Sequence, residues 1–563
     1  MTPRAGTTKV KSGCRTCKTR RVKCDEGWPV CCRCLSTGRV CEGYGIWGGG
    51  GNRYGRRSTG PDTSRSLKLF YAPQLVNGIS KDESRYLEWF TYRTAMKLPG
   101  AFRFAFWDTL LFQAISSEPA ILHAVLALSS AHRRDKIGVD SSATGRAPDE
   151  QEQFTLKHYS RAIRHLQPHF STKEPSSIRV TLIACLMFVM MEFLRGHYKA
   201  GNAHLQNGLK LLDEFHAQSS SVDCYSLFLE PCCDSVDAWI IQAFIRLDVQ
   251  AKFLGYGSRY LSMVLEDYTS EVTRPKFTFQ SANQARQHLD RIFNQIFHLS
   301  HECQRQVRPP DQSCPGADLL VRQRRIKAKL SSWYQAFKAS RTGLKTKQTT
   351  PNTLAYYILR IYYSMAEIMI DTCLWPTDQS RYDARTQEFD SIMCQMKYIR
   401  SLTQSPTLIG IIHFSDMSSS VADLGALPIL FYVATKCRVR RIRHDAVENL
   451  STLGHKEGIW NAPLAECVAR EVVEIEEGDF YGDSGIADEA ASSSDSEKKS
   501  TQQRMLPESY RLHDVEVELP EDYGGTVALK SKRTSDGCSW ECIHREYVYD
   551  IQTQSWRDKE ERA

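Results

Sequence analysis

The sequence predicts a small cysteine-built domain at the N-terminus, a flexible linker, and a large all-α domain ending in a small β-element. Three observations carry this. Six cysteines fall in two equally spaced copies within the first 41 residues, four consecutive glycines occupy 48–51, and apolar residues recur at helical spacing from about Leu67 to Ile475. The expected divisions are 1–44, a Gly/Arg-rich linker 45–66, a helical domain 67–475, an acidic serine-rich segment 476–505 and a C-terminal region 506–563. With 41% hydrophobic and 25% charged residues over 563 positions, the chain has ordinary globular composition, which excludes a collagen-like or wholly disordered protein. The richest apolar run, Thr181 to Leu194, is too short for a membrane span and contains Glu192. Met1 to Ser12 is basic and lacks an apolar stretch, unlike a secretory signal. Nineteen cysteines in such a chain point to a reducing compartment.

Charge separates the first domain from the rest. Residues 1–57 hold 13 lysines and arginines against 3 acids, a net of +10, whereas the whole chain carries only +8. A compact basic module on a near-neutral body is the footprint of polyanion binding.

The cysteines give that module its chemistry. Cys14, Cys17 and Cys24 map onto Cys31, Cys34 and Cys41 by a shift of 17, each half reading C-x2-C-x6-C. Structural zinc takes four tetrahedral ligands, thiolate among the favoured ones. Two zinc ions need eight ligand positions, which six thiolates fill when two of them bridge. A single four-cysteine site would leave two repeat-perfect thiols idle, and a disulfide framework needs an oxidising compartment. About thirty residues cannot bury a sufficient apolar core, so metal must hold the module together. Such closed sites are structural and leave no position for catalytic water. Cys32 stands outside the repeat and reads as a surface thiol.

Gly13 to Tyr44, GCRTCKTRRVKCDEGWPVCCRCLSTGRVCEGY, resembles the fungal Zn2Cys6 binuclear-cluster transcription factors. The resemblance covers the six cysteines, the basic run between the second and third, and Pro29. It implies that Cys14 and Cys31 bridge two zinc ions, with Cys17, Cys24, Cys34 and Cys41 as terminal ligands. It also places Arg20 and Arg21 at the major-groove edge of double-stranded DNA, where an arginine fork binds guanine O6 and N7. A G-rich, CGG-like triplet upstream of genes transcribed by RNA polymerase II follows from the same resemblance. Lys11, Arg15, Lys18, Lys23 and Arg33 read as phosphate contacts, which position the module without specifying sequence. The basic run, with Arg53, Arg56 and Arg57, suits a nuclear import signal and hence the nucleus. Residues 45–65 carry no heptad, so binding as a monomer or a loosely coupled dimer is expected.

In the body, Ser80 and Glu83 form a capping box before Tyr86, Leu87 and Phe90, and Pro119 opens a second helix. Further helices are read at 153–167, 177–194, 197–215, 235–254, 283–301, 317–338, 353–373, 384–403 and 427–450. ESRYLEWF at 83–90, LPGAFRFAFW at 98–107, EPAILHAVLALSSAH at 118–132 and 185–212 resemble the regulatory domain of fungal-specific transcription factors. No phosphate loop, H-E-x-x-H or G-x-S-x-G occurs, so no enzyme is expected. His123, His132, His158, His165, His197 and His204 lie on or beside the helices without forming a ligand set in sequence, and Tyr356, Tyr357, Tyr362 and Tyr363 read as core. Residues 471–497 hold ten acids and no lysine or arginine: a solvated insert, or a disordered region that folds on coactivators or corepressors. His513–Leu519, Thr526–Leu529 and Tyr547–Gln552 alternate like strands.

Overall fold

The computed structural model describes residues 13–25, 31–39, 79–137, 149–172, 174–219, 236–256, 277–305, 315–341, 344, 350–403, 420–482, 506–521, 525–535, 539–550 and 555–558. The cysteine-rich region contains two short helices, α1 (Arg15–Thr19) and α2 (Cys32–Leu35). The body opens with α3 (Lys81–Trp89). Its capping box is formed as expected, with Ser80 Oγ accepting the Glu83 N–H and the Glu83 carboxylate accepting the Ser80 N–H.

Two π-helical turns, Phe90–Thr94 and Phe106–Leu110, lead into α4 (Leu111–Ser117), α5 (Pro119–Ile137), α6 (Glu150–Phe170), α7 (Pro175–Arg195) and α8 (Tyr198–Ser219). The array continues with α9 (Val236–Phe253), α10 (Ala282–Arg305), α11 (Ala317–Ala339), α12 (Thr350–Thr372) and α13 (Thr386–Thr403). Helix α5 packs on α6 and α7, α7 on α8, and α10 on α11 and α12. Helix α7 is apolar on all sides because it is enclosed on all sides: it starts at Pro175, stops at left-handed Gly196, and buries Val180 through Leu194 almost continuously. It is long and apolar enough to cross a membrane, yet it forms the centre of the core.

The tyrosines of α12 are core, as their pattern predicts. Tyr363 stacks on Tyr334 at 4.1 Å, Tyr356 stacks on Phe337 at 4.7 Å, and Trp333 between them donates to the Ala285 carbonyl at 2.8 Å. Charged groups are buried here too. Arg246 of α9 donates to Asp423 Oδ2 at 2.7 Å and to the Phe102 carbonyl at 2.8 Å, tying α9 to two distant loops.

The helix expected over 427–450 is two helices, α14 (Leu427–Lys436) and α15 (Arg440–Ser451). The chain turns extended at Cys437, and this lets Arg438 reach inward to Glu476. A further helix, α16 (Ala462–Gly482), runs seven residues into the range expected to be an acidic, unstructured segment. Its acids are structural: Glu476 is fully buried between Arg438 and Arg443, and Glu477 is buried beside Arg443 and His444. Residues 483–505 and the linker 45–66 lie outside the described residues.

The β-element is present and larger than its alternation suggests. After the two-residue pair β1 (Lys456–Glu457) and β2 (Trp460–Asn461), the strands β3 (His513–Glu518), β4 (Thr526–Ser535), β5 (Ser539–Asp550) and β6 (Ser555–Asp558) form an antiparallel sheet in chain order. The β4–β5 ladder runs from Thr526↔Val548 to Ser535↔Ser539. Val517, Val527, Leu529, Tyr547 and Tyr549 join the same core as the helices.

Candidate metal centre and nucleic-acid interface

The 17-residue repeat in sequence is a repeat in conformation. Cys14 and Cys31 each stand just before a short helix, where a side chain can accept the free N–H groups of the first turn. Cys14 Sγ accepts the Cys17 N–H at 3.3 Å, and Cys31 Sγ accepts the Cys34 N–H at 3.3 Å. C-x2-C is thus the spacing of a cap and the third helical residue. Both helices then end alike. Val22 N–H donates to the Cys17 carbonyl and Arg39 N–H to the Cys34 carbonyl, each at 3.0 Å. The residue before each donor is left-handed: Arg21 at φ 54° and its repeat mate Gly38 at φ 62°.

This folding gathers sulfur. Cys14 Sγ lies 3.7 Å from both Cys31 Sγ and Cys34 Sγ, and Cys17 Sγ lies 3.7 and 3.8 Å from the same pair. Cys24 closes the group with Cys14, Cys17 and Cys31, all four sulfurs within 4.8 Å of one another. A tetrahedral zinc with bonds of about 2.3 Å holds its sulfurs about 3.8 Å apart, so the donor set fits zinc. The five thiols are buried, and among the described residues Val22 is the apolar side chain packed against them. Burial pushes the Cys17 thiol up against the hydrogen bonds of Cys14 and Cys34, which pull it down, and a bound dication reverses that burial penalty. Cys41 lies outside the described residues, so five of the six expected ligands are brought together. Cys32 is exposed and faces Asp25, whose hydrogen bond and charge push its thiol up.

Asp25 is a residue the sequence reading passed over. Its carboxylate accepts the Cys32 and Arg33 N–H groups, each at 2.8 Å, and so caps α2 from the other half of the repeat. Burial opposes its ionisation, but the amides of Arg33 and Cys32 outweigh that and hold it below the usual carboxylate range. No local pattern marks it, because its partners lie seven and eight residues away.

The expected DNA contacts collect around the end of α1. Arg21 and Lys23 are exposed, as is Arg33 on α2. Arg20 is half-buried and donates to Thr37 Oγ1 at 3.3 Å, which fixes it against the second half. Arg15 and Lys18 lie on α1, but their side chains, like Lys11 as a whole, lie outside what the structure describes. Cations at a helix C-terminus are favoured by the exposed carbonyls.

In the body, His132 is buried against Thr94 Oγ1 at 3.1 Å, His197 meets Glu192 at 2.8 Å, and His204 meets the Tyr159 hydroxyl at 2.7 Å. His123 and His158 face each other, with His165 alongside His123. Cys542 is exposed on β5, and Cys232, Cys233 and Cys538 lie outside the described residues.

Comparison with known proteins covers both parts. Residues 12–46 match the fungal Zn(2)-Cys(6) binuclear cluster domain, and residues 91–472 match the fungal specific transcription factor domain. The chain is 21% identical over 551 residues to the aspercryptin biosynthesis cluster-specific transcription regulator atnN of Emericella nidulans, covering 83% of this chain and 87% of that one. It is 23% identical over 399 residues to the transcription regulator lscL of Purpureocillium lilacinum, covering 66% and 89%. The transcriptional regulatory protein moc3 of Schizosaccharomyces pombe is 51% identical over 43 residues, 8% of either chain. No solved structure matches significantly.

Proposed function

The chain belongs to the fungal-specific transcription factors that carry a Zn(2)-Cys(6) cluster, which holds two zinc ions through six cysteines, and from that premise we propose that it reads a G-rich, CGG-like triplet in the major groove and regulates RNA polymerase II genes in the nucleus. The observation that carries this reading is the end of α1, where Arg21 is exposed and left-handed beside the sulfur cluster, with Arg20 held by Thr37. On a metal-stapled module the backbone at this helix end is already fixed, so only the side chain has to be ordered when it meets base edges. Arg21 is the principal base reader. Arg20 joins it, and Lys11, Arg15, Lys18, Lys23 and Arg33 contact phosphate. The bridging ligands are Cys14 and Cys31, and the terminal ones are Cys17, Cys24, Cys34 and Cys41.

The zinc ions supply a closed structural staple. The protein's own residues do the recognising. The expected partners are double-stranded DNA and coactivators or corepressors. The relative aligned over most of the chain is named for control of one biosynthetic cluster. This supports a pathway-level regulator whose genomic sites concentrate near a block of adjacent genes.

Binding-site selection on the full-length protein tests the readout. Arg21→Ala and Arg20→Ala should each relax preference at a G position at a cost of about 1–3 kcal/mol, while Lys11→Ala weakens all sequences alike. Unchanged base preference in both arginine variants would sink the assignment. Zinc counting tests the ligands: Cys14→Ala should lose both cluster ions, and Cys32→Ala neither.

A further inference from the structure

Three side chains from three helices converge beside a cavity of about 830 Å³ in the helical body. They are Glu83 of α3, His123 of α5 and His158 of α6. The two imidazoles meet through their Nδ1 atoms at 3.0 Å. Glu83 Oε1 lies 3.7 Å from His158 Nε2, and the three residues offer ligand atoms within 4.8 Å of one another. All three line the cavity. His158 is 1% and Glu83 13% exposed in their side chains, so the group is not a chance surface cluster.

We propose that Glu83, His123 and His158 bind a divalent transition-metal ion of the zinc class, separate from the cysteine cluster, with one coordination position open to the cavity. Two imidazoles and a carboxylate are a donor set that suits zinc, nickel or copper over magnesium or calcium. Bonds of about 2.0–2.1 Å put neighbouring donors about 3.3 Å apart in a tetrahedral site. The two Nδ1 atoms already stand near that spacing. Glu83 Oε1 lies nearest the other nitrogen of His158, Nε2, so the carboxylate must pivot about the oxygen held by Ser80 to bring Oε1 to the Nδ1 pair. Without an ion, the Nδ1 contact needs one ring to donate and the other to accept. An ion takes both lone pairs instead. The carboxylate is pre-oriented, because its second oxygen accepts the Ser80 N–H in the capping box at 2.8 Å. Arg161 is the competitor: its Nη1 lies 3.2 Å from the same Glu83 Oε1, and its side chain is 40% exposed, so it can swing into solvent as the ion enters.

The consequence is mechanical. Glu83 sits on the first described helix after the cysteine module, and the ion would pin that helix to α5 and α6.

The test is metal counting and competition titration on the full-length protein, with zinc as the probe. Wild type should hold three zinc ions. Glu83→Gln keeps the capping box and His123→Gln replaces a half-buried ring, so both should fold, as circular dichroism will check. Each should weaken the third ion at least about tenfold. Arg161→Met, which removes the competing cation, should tighten it. Cys14→Ala should lose the cluster ions and keep this one. Two zinc ions in wild type at 100 µM free metal, about the limit of a useful site, would overturn the proposal. So would a third ion indifferent to both Glu83→Gln and His123→Gln, or one loosened by Arg161→Met.

Discussion

Arg21 adopts a conformation that favours glycine, and its repeat mate at the same place in the second half is glycine, Gly38. A left-handed non-glycine residue costs roughly 1 kcal/mol. The cost is borne at the position whose side chain would meet base edges, where strain fixes direction. Arg21→Gly should therefore separate stability from recognition. The variant should resist chelator at least as well as wild type, yet lose about 1–3 kcal/mol of binding to the preferred site. Chelator titration and fluorescence anisotropy on the same sample measure both. A variant less resistant to chelator would show that the arginine side chain stabilises the module. Asp25 makes the opposite case. Asp25→Ala removes the cap on α2 and should cost about 1 kcal/mol without touching base preference, seen as earlier zinc loss in the same titration.

At the scale of elements, α16 shows where charge misleads. Ten acids over 471–497 with no local base read as a solvated stretch. The bases that neutralise the first of them are on other elements: Arg545 on β5 for Glu471, and Arg438 and Arg443 for Glu476. Burial opposes the charge on Glu476, but the two guanidiniums outweigh it and hold the carboxyl below its usual range. Glu476→Gln would leave two buried cations with one carboxylate fewer, and should destabilise the body by about 3–5 kcal/mol in thermal or urea unfolding. A near-neutral result would mean that the site relaxes to solvent. The same cause explains what else was legible. Apolar periodicity gave the long helices because burial on one face repeats locally. The strands β4 and β5 run past the expected ends because their backbone ladder continues from Lys530↔His544 to Ser535↔Ser539, where the side chains are largely polar and carry no apolar alternation to read. The cysteine repeat was legible because its ligands lie close in sequence. Asp25 and the Glu83–His123–His158 group were not, because each needs chain brought together from separate segments.

Across the whole molecule, the described residues form two buried clusters that share no residue, one of five cysteines and one running from Tyr86 to Tyr549. They should fail under different stresses. Acid attacks the body. Burial outweighs the pull of Asp135 and pushes His132 down to about 4, and burial with Arg291 pushes His288 down to about 3. Both lie below the unfolded value of about 6.5, so the unfolded chain binds more protons below that pH. The stability these rings contribute is complete above about pH 6.5 and is lost as pH falls toward about 4 for His132 and about 3 for His288, on the order of a few kcal/mol per ring. The melting temperature should fall steadily across that window, with His132→Asn flattening the slope. Chelator at neutral pH attacks the other cluster. Among the described residues the cysteine module packs Val22 against its thiols, and a module of about thirty residues is too small for an apolar core to hold it folded without zinc. The body keeps its apolar core, and loss of an ion at Glu83, His123 and His158 removes one link among many contacts. Chelation should thus abolish DNA binding while leaving the helical circular-dichroism signal and its melt nearly in place. If the helical signal collapses together with DNA binding, the body depends on the cluster for its fold, and the two clusters are one cooperative unit.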